Sequence, residues 1–173
     1  MSPPPRLQGP VHLRVPEGDT HERKVCLDCH HICYENPRII VGSVVTYEGR
    51  LLLCRRAIPP RIGFWTMPAG FLELQETPED GAKREALEEA GARIELDGLL
   101  AVYTLAERSQ VHLMYRATLL DPQVSPGIES QSLEFFSYED VPWDELAFPS
   151  VHWALKDWFE TKSEKHLTPR RNP

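Results

Sequence analysis

The sequence predicts an α/β protein, a mixed β-sheet sandwiched between helices (α/β/α), with a small ribbon-like appendage at the N-terminal side. Two helical patterns and the apolar runs around them carry that prediction. Residues 78–90 follow a capping threonine and stop at a glycine, and residues beyond Ser150 repeat apolar side chains at helical spacing. β-branched stretches fill the rest, so the order is strand-rich, helix, strand-rich, helix.

Residues 1–10 hold four prolines and little else, which predicts a disordered tail. Residues 11–36 form the appendage. It contains Cys26-Leu27-Asp28-Cys29, half of a zinc knuckle, with His12, His21, His30, His31 and Cys33 as the other nearby nitrogen and sulfur donors. The main domain is expected over 37–162. It opens with the strand RIIVGSVVTY (Arg38 to Tyr47) and its hairpin partner RLLLCR (Arg50 to Arg55), joined across Glu48-Gly49. Cys54 lies in an apolar run and reads as core. A proline-bearing loop at 57–63 leads into a buried strand at Trp65, which breaks into the Gly/Pro loop before the first helix. Further strands are expected near 93–105, 111–119 and 133–138, with a Pro/Gly loop at 121–127. The last helix opens at Ser150 behind Pro149. Val151, Ala154, Leu155, Trp158 and Phe159 recur on one face, so the two aromatics are core rather than a platform for stacking bases. Residues 163–173 are expected as a flexible tail.

Composition narrows the function. A chain of 173 residues that is 41% apolar suffices for one domain with a core. There is no signal-peptide pattern and no apolar run near 18 residues, so a cytoplasmic protein without a membrane partner is expected. A net charge of −7 opposes nonspecific nucleic-acid binding, which needs basic surface to displace counterions. It does not oppose a nucleotide substrate whose charge a cation neutralises.

The chemistry lies in GFLELQETPEDGAKREALEEAGA, Gly70 to Ala92. Thr77 is a good N-cap, Pro78 suits the first helical position, Asp80 sits where a capping-box acid would, and Gly91 ends the helix. On this helix Glu85, Glu88 and Glu89 fall at i, i+3 and i+4, so three carboxylates share one face. Glutamate-rich helices are ordinarily solvated faces. Here a strand and a Gly/Pro loop feed directly into the helix, an arrangement that builds a pocket. Clustered carboxylate oxygens are what Mg²⁺ or Mn²⁺ prefers. Arg84 can hold a neighbouring acid through a forked hydrogen bond, with Glu76 or Glu88 as candidates.

Gly70, Glu76, Arg84, Glu85, Glu88, Glu89 and Gly91 fill G-x5-E-x7-R-E-U-x-E-E-x-G-U, where U is usually bulky and aliphatic. A chance match of seven fixed letters is on the order of one in a million. The chain resembles the Nudix hydrolase family; only Ala86 and Ala92, at the U positions, are smaller than usual. The likeness extends through Asn36 to Gly42, Leu51 to Glu73, Ser125 to Ser130 and Val141 to Ser150. It is greatest for the zinc-ribbon subgroup acting on ADP-ribose and FAD. The segment Val15-Pro16-Glu17-Gly18-Asp19 resembles the turn after that subgroup's first knuckle. Where the first two cysteines would stand, near Pro4 and Leu7, this chain has none. A degenerate ribbon that keeps its shape and binds no zinc is therefore expected, with Zn²⁺ on Cys26 and Cys29 as the alternative.

The resemblance implies hydrolysis of a nucleoside diphosphate linked to a group X, with Mg²⁺ or Mn²⁺ held by Glu85, Glu88, Glu89 and the Ala69 carbonyl. Glu76 and Arg84 would orient that cluster. The general base would be a box glutamate or one from a later loop, Glu129 ahead of Glu134. Arg55, Arg56 and Arg61 are candidate phosphate contacts, although strand alternation turns Arg55 and Arg56 to opposite faces. Ser132 departs from the subgroup, which more often has glutamate there. Relatives that cleave NADH carry an SQPWPFP-type stretch where this chain reads Ala101-Val102-Tyr103-Thr104-Leu105-Ala106, which argues against NADH. The favoured substrates are ADP-ribose or FAD, with AMP released, and a homodimer is expected. The alternatives are a house-cleaning (d)NTP pyrophosphohydrolase and a non-catalytic nucleotide sensor of the same fold.

Overall fold

The computed structural model describes residues 9–173, which divide into two compact units, one ending at Asn36 and the other running from Pro37 to Pro173. Most of the expected 1–10 tail, with Pro4 and Leu7, lies outside the described residues. Among the described residues no helix is long and apolar enough to cross a membrane.

The first unit is a three-stranded antiparallel sheet of β1 (His12–Arg14), β2 (Arg23–Val25) and β3 (Ile32–Cys33), in that order. Charge pairs brace it. Asp19 accepts hydrogen bonds from Arg23 Nε at 3.0 Å and from the amides of Thr20 and His21, Lys24 pairs with Glu35, and Arg23 lies over the Tyr34 ring. Cys26 is buried at the knuckle, its thiol held below the usual value by the backbone N–H groups of Cys29 and Asp28. Cys29 is exposed. Among the described residues no group of three or more His, Cys, Asp or Glu side chains is arranged to hold a metal ion, so the two cysteines stand as a pair.

The second unit is built on a seven-stranded mixed sheet. Its continuous path is β10 (Ser130–Phe136), β5 (Arg50–Arg56), β4 (Arg38–Tyr47), β9 (Gln110–Leu119) and β8 (Ile94–Leu105). β4 and β9 run parallel and the other neighbours antiparallel. The β4–β5 hairpin pairs only at Thr46–Leu51 and Tyr47–Arg50; beyond that the strands splay. Two short strands fill the split, β6 (Trp65–Thr66) on β5 and β7 (Ala69–Phe71) on β4. The single strand expected at Trp65 is thus two strands serving opposite sides of a cleft. β10 begins three residues earlier than its apolar pattern, because pairing with β5 continues through a bulge to Arg56.

One helix covers each face. α1 (Pro78–Ala90) presents Gly81, Ala82, Ala86 and Ala90 to β4, β5 and β9, where Val41, Val45, Cys54 and Ala117 lie. These small residues let the helix lie close, and the short Ala86 and Ala92 are fully buried there. Thr77 caps the helix through the Asp80 amide, and Gly91 closes it at φ 60°. α2 (Pro149–Thr161) buries Val151, Ala154, Leu155 and Trp158 against Val44, Leu51, Leu53, Tyr103 and Met114 on the other face. Phe159 packs beside them, stacked on Tyr138. The α/β/α arrangement is therefore the observed one.

The C-terminal segment, expected as a flexible tail, runs along the edge of β8. Arg170 donates its N–H to Leu100 O and accepts from Val102 N, each at 2.9 Å, and the Asn172 amide bonds both Thr104 backbone groups. An edge strand offers unpaired N–H and C=O groups, which this segment satisfies. Leu155 has no exposed surface, so Leu155→Ala should cost about 2–5 kcal/mol of stability in urea denaturation at unchanged m value.

Candidate active site

The split between β4 and β5 opens into a cavity of about 930 Å³. One wall carries the acids of α1 and the β7 backbone, with Glu129 from the loop before β10 and Arg56 from β5. A second wall is the sheet face of β4 and β9 with the first turn of α2.

Arg84 organises the acidic wall. A guanidinium has five N–H donors, and all five are used. Nε and Nη2 fork onto Glu76 at 3.0 and 2.8 Å, Nη1 donates to Glu85 at 2.7 Å and to Glu88 at 3.0 Å, and Nη2 also donates to the Phe71 carbonyl at 3.0 Å. The sequence left Glu76 and Glu88 as alternatives; Arg84 takes both, and Glu85 as well. The Arg84 fork, aided by the Glu73 amide, holds the Glu76 carboxyl down at about 2. Glu85 is mostly buried, and burial pushes its carboxyl up against the pull of Arg84. Its carboxylate lies against Gly70, where a Cβ would come within 2.4 Å of Oε1. Only glycine leaves room for it.

Glu89 faces inward, and burial pushes its carboxyl up to about 8; the charges of Glu85 and Glu129 add to the rise, while the Ala69 amide opposes it with a 3.2 Å hydrogen bond. Strand pairing explains why that amide is free. Leu72 N–H goes to Ile39 O and Ser43 N–H to Pro68 O, so alternation turns the N–H and C=O of Ala69 away from β4. With Arg84 on Glu85 and Glu88, and Ala69 on Glu89, the three carboxylates do not converge on one point. The donor set is nevertheless all oxygen, partly buried and short of positive charge, which suits a hard divalent cation.

Glu129 is brought to the acids by its loop. Ser125 and Gly127 donate their N–H groups to Ala90 and Glu89 carbonyls at 3.0 Å, satisfying the open end of α1, and Ala57 N–H takes the Glu129 carbonyl at 2.8 Å. Gly127 lies so close to α1 that a Cβ would sit 1.8 Å from the Glu88 carbonyl oxygen. Glu134 is exposed on β10 and does not line the cavity.

Of the three arginines expected to meet phosphate, Arg56 lines the cavity, lying over the Phe148 ring at 5.1 Å with Nε bonded to Pro60 O. Arg55 turns to the other side, onto the Gly63 carbonyl and the Trp65 ring, and Arg61 lies over Phe64; neither lines the cavity. The sequence reading missed the second wall, made by Leu105, Gln110, His112, Met114 and Phe148. The alternation Gln110, His112, Met114 along β9 was the available signal. Its meaning depends on β9 lying parallel beside β4.

Gly127→Ala should cost roughly 1–3 kcal/mol of stability and cut kcat at least about tenfold, although it meets only the backbone of Glu88 and Glu89 and alters none of the three α1 carboxylates. Thermal melts and steady-state kinetics on the purified variant check both.

A NUDIX domain model matches residues 36–159, and the Nudix N-terminal model, a zinc-ribbon family, matches 8–35. A MutT-like protein of Streptomyces ambofaciens is 41% identical over 108 residues, 62% of this chain; the match spans 65% of that relative, just under two thirds of its length. An ADP-ribose pyrophosphatase of Methanocaldococcus jannaschii is 27% identical over 134 residues, 75% of this chain and 78% of the relative. The crystal structure of a NUDIX hydrolase from Nitrosomonas europaea superposes with a TM-score of 0.88 at 46% identity, covering 95% of this chain and 94% of that one. The chain belongs to the Nudix hydrolase family.

Proposed function

We propose that this protein hydrolyses the pyrophosphate bond of a nucleoside diphosphate linked to X, with ADP-ribose or FAD as substrate and AMP as a product. The observation that carries this reading is a single cavity with two unlike walls, one of clustered acids for a metal-bridged diphosphate and one of mainly apolar and polar groups, with Arg108, for what the diphosphate carries. The name of the Methanocaldococcus jannaschii relative supports ADP-ribose.

Glu85, Glu88, Glu89 and the Ala69 carbonyl would hold Mg²⁺ or Mn²⁺, which when bound neutralises the diphosphate and lowers the pKa of the attacking water. Arg84 holds Glu85 and Glu88 together, and its fork to Glu76 anchors the guanidinium. Glu129 takes the proton of the water that attacks phosphorus, and the bond to the bridging oxygen breaks. Arg56, close enough to Glu89 to draw its carboxyl down, spends Nε and Nη2 on loop carbonyls and presents Nη1 to a phosphate oxygen.

Hydrolysis of ADP-ribose, FAD, NADH and dNTPs compared side by side with Mg²⁺ and Mn²⁺ should show ADP-ribose or FAD preferred, with AMP as product. Pyrophosphate release from dNTPs as the dominant activity would replace this reading with the house-cleaning one. Glu88→Gln and Glu89→Gln should each lower kcat more than about a hundredfold with the fold intact by circular dichroism. Stability supplies a separate check. Glu89 ionises near 4.5 when unfolded and near 8 in the metal-free fold, so between those values the native state binds more protons and stability falls as pH rises. The metal-free wild type should therefore lose more Tm than Glu89→Gln across that window, and Mg²⁺ or Mn²⁺ should remove the difference by favouring the carboxylate.

A further inference from the structure

Beyond the acids, the cavity runs across the sheet to a polar pair, Gln110 and His112, set among apolar side chains, with Arg108 also lining the cavity. Phe71, Ile40 and His112 are lateral neighbours on β7, β4 and β9, which puts His112 two strands, roughly 10 Å, from β7. Gln110 precedes it by two residues on the same face, opposite Leu105 of β8. His112 Nε2 and Gln110 Oε1 lie 3.2 Å apart. The His112 ring is buried, and its Nδ1 has no hydrogen-bond partner among the described residues.

A neutral imidazole has one N–H and one lone pair. An amide oxygen facing Nε2 requires the N–H there, which leaves only a lone pair at the buried Nδ1. The opposite tautomer would bury an unpaired donor and turn the amide round, the costlier arrangement. Burial, and the nearby Arg108 charge, keep this ring below its ordinary pKa and therefore neutral. The Gln110 oxygen is thus committed to His112, and its NH₂ is taken by no other group among the described residues.

We infer that Gln110, held in one orientation by His112, is the donor that reads a neutral hydrogen-bond acceptor on the group the substrate carries beyond its diphosphate. The acceptor class is a ring nitrogen, a carbonyl or a sugar oxygen. Gln110 is the specificity residue and His112 a positioning residue behind it. This inference rests on the pyrophosphohydrolase reading above.

The test is steady-state kinetics of wild type, Gln110→Leu, His112→Phe, His112→Gln and Arg108→Ala on ADP-ribose, FAD and dNTPs with Mg²⁺. Gln110→Leu should raise KM about tenfold for the preferred substrate, keep kcat within about twofold, and narrow the preference between substrates. His112→Phe should follow it, and His112→Gln, whose amide can again donate to Gln110, should recover most of the loss. ADP-ribose and FAD responding to different extents would tell a sugar acceptor from a flavin one. Unchanged KM in Gln110→Leu, with wild type turning over, overturns the inference alone. So does a KM rise in Arg108→Ala without one in Gln110→Leu, since the group read there would then be anionic. A wild type inactive on the whole panel overturns the pyrophosphohydrolase reading first, and this inference with it.

Discussion

Three carboxylates on one face of a helix repel each other, and in this protein a single guanidinium bridges two of them, Glu85 and Glu88. Arg84 engages Glu76, Glu85 and Glu88 together and reaches back to the Phe71 carbonyl, so it fixes α1 to the segment that follows β7. Lysine could not replace it, because a single ammonium cannot fork onto one carboxylate and bridge two others. Nη1 holds Glu85 and Glu88, while Nε and Nη2 hold Glu76. Glu89 is the acid Arg84 does not reach, and it is the one that burial pushes furthest from its ordinary ionisation.

Packing imposes the second constraint. The acids point into the cleft only if the opposite side of α1 lies hard against the sheet, and small side chains permit this. Gly70 gives the Glu85 carboxylate room, and Gly127 lets the later loop rest on the last turn of α1. Both contacts belong at once to the fold and to the site. The loop that satisfies the helix's open carbonyls is the one that carries Glu129 to the acids.

The two walls draw on different parts of the chain. The acidic wall comes almost entirely from the continuous stretch Ala69 to Glu89, joined by Arg56 and Glu129. The second wall is assembled from β4, β8, β9 and the start of α2, which are distant in sequence.

The α1 boundaries, its caps and the shared face of Glu85, Glu88 and Glu89 were legible in the sequence, because helical period and capping chemistry are local. The strand Arg38–Tyr47 and the core face of α2 were legible for the same reason. Other features depended on tertiary pairing. That Arg56 and not Arg55 or Arg61 faces the cavity follows from which side of β5 borders the split. That residues 170–172 lie along β8 follows from an edge needing partners. That Gln110 and His112 line the cavity follows from β9 lying parallel beside β4, a contact between residues some 70 positions apart in the chain. Local periodicity specifies which side chains share a face; only the assembled sheet decides what that face meets.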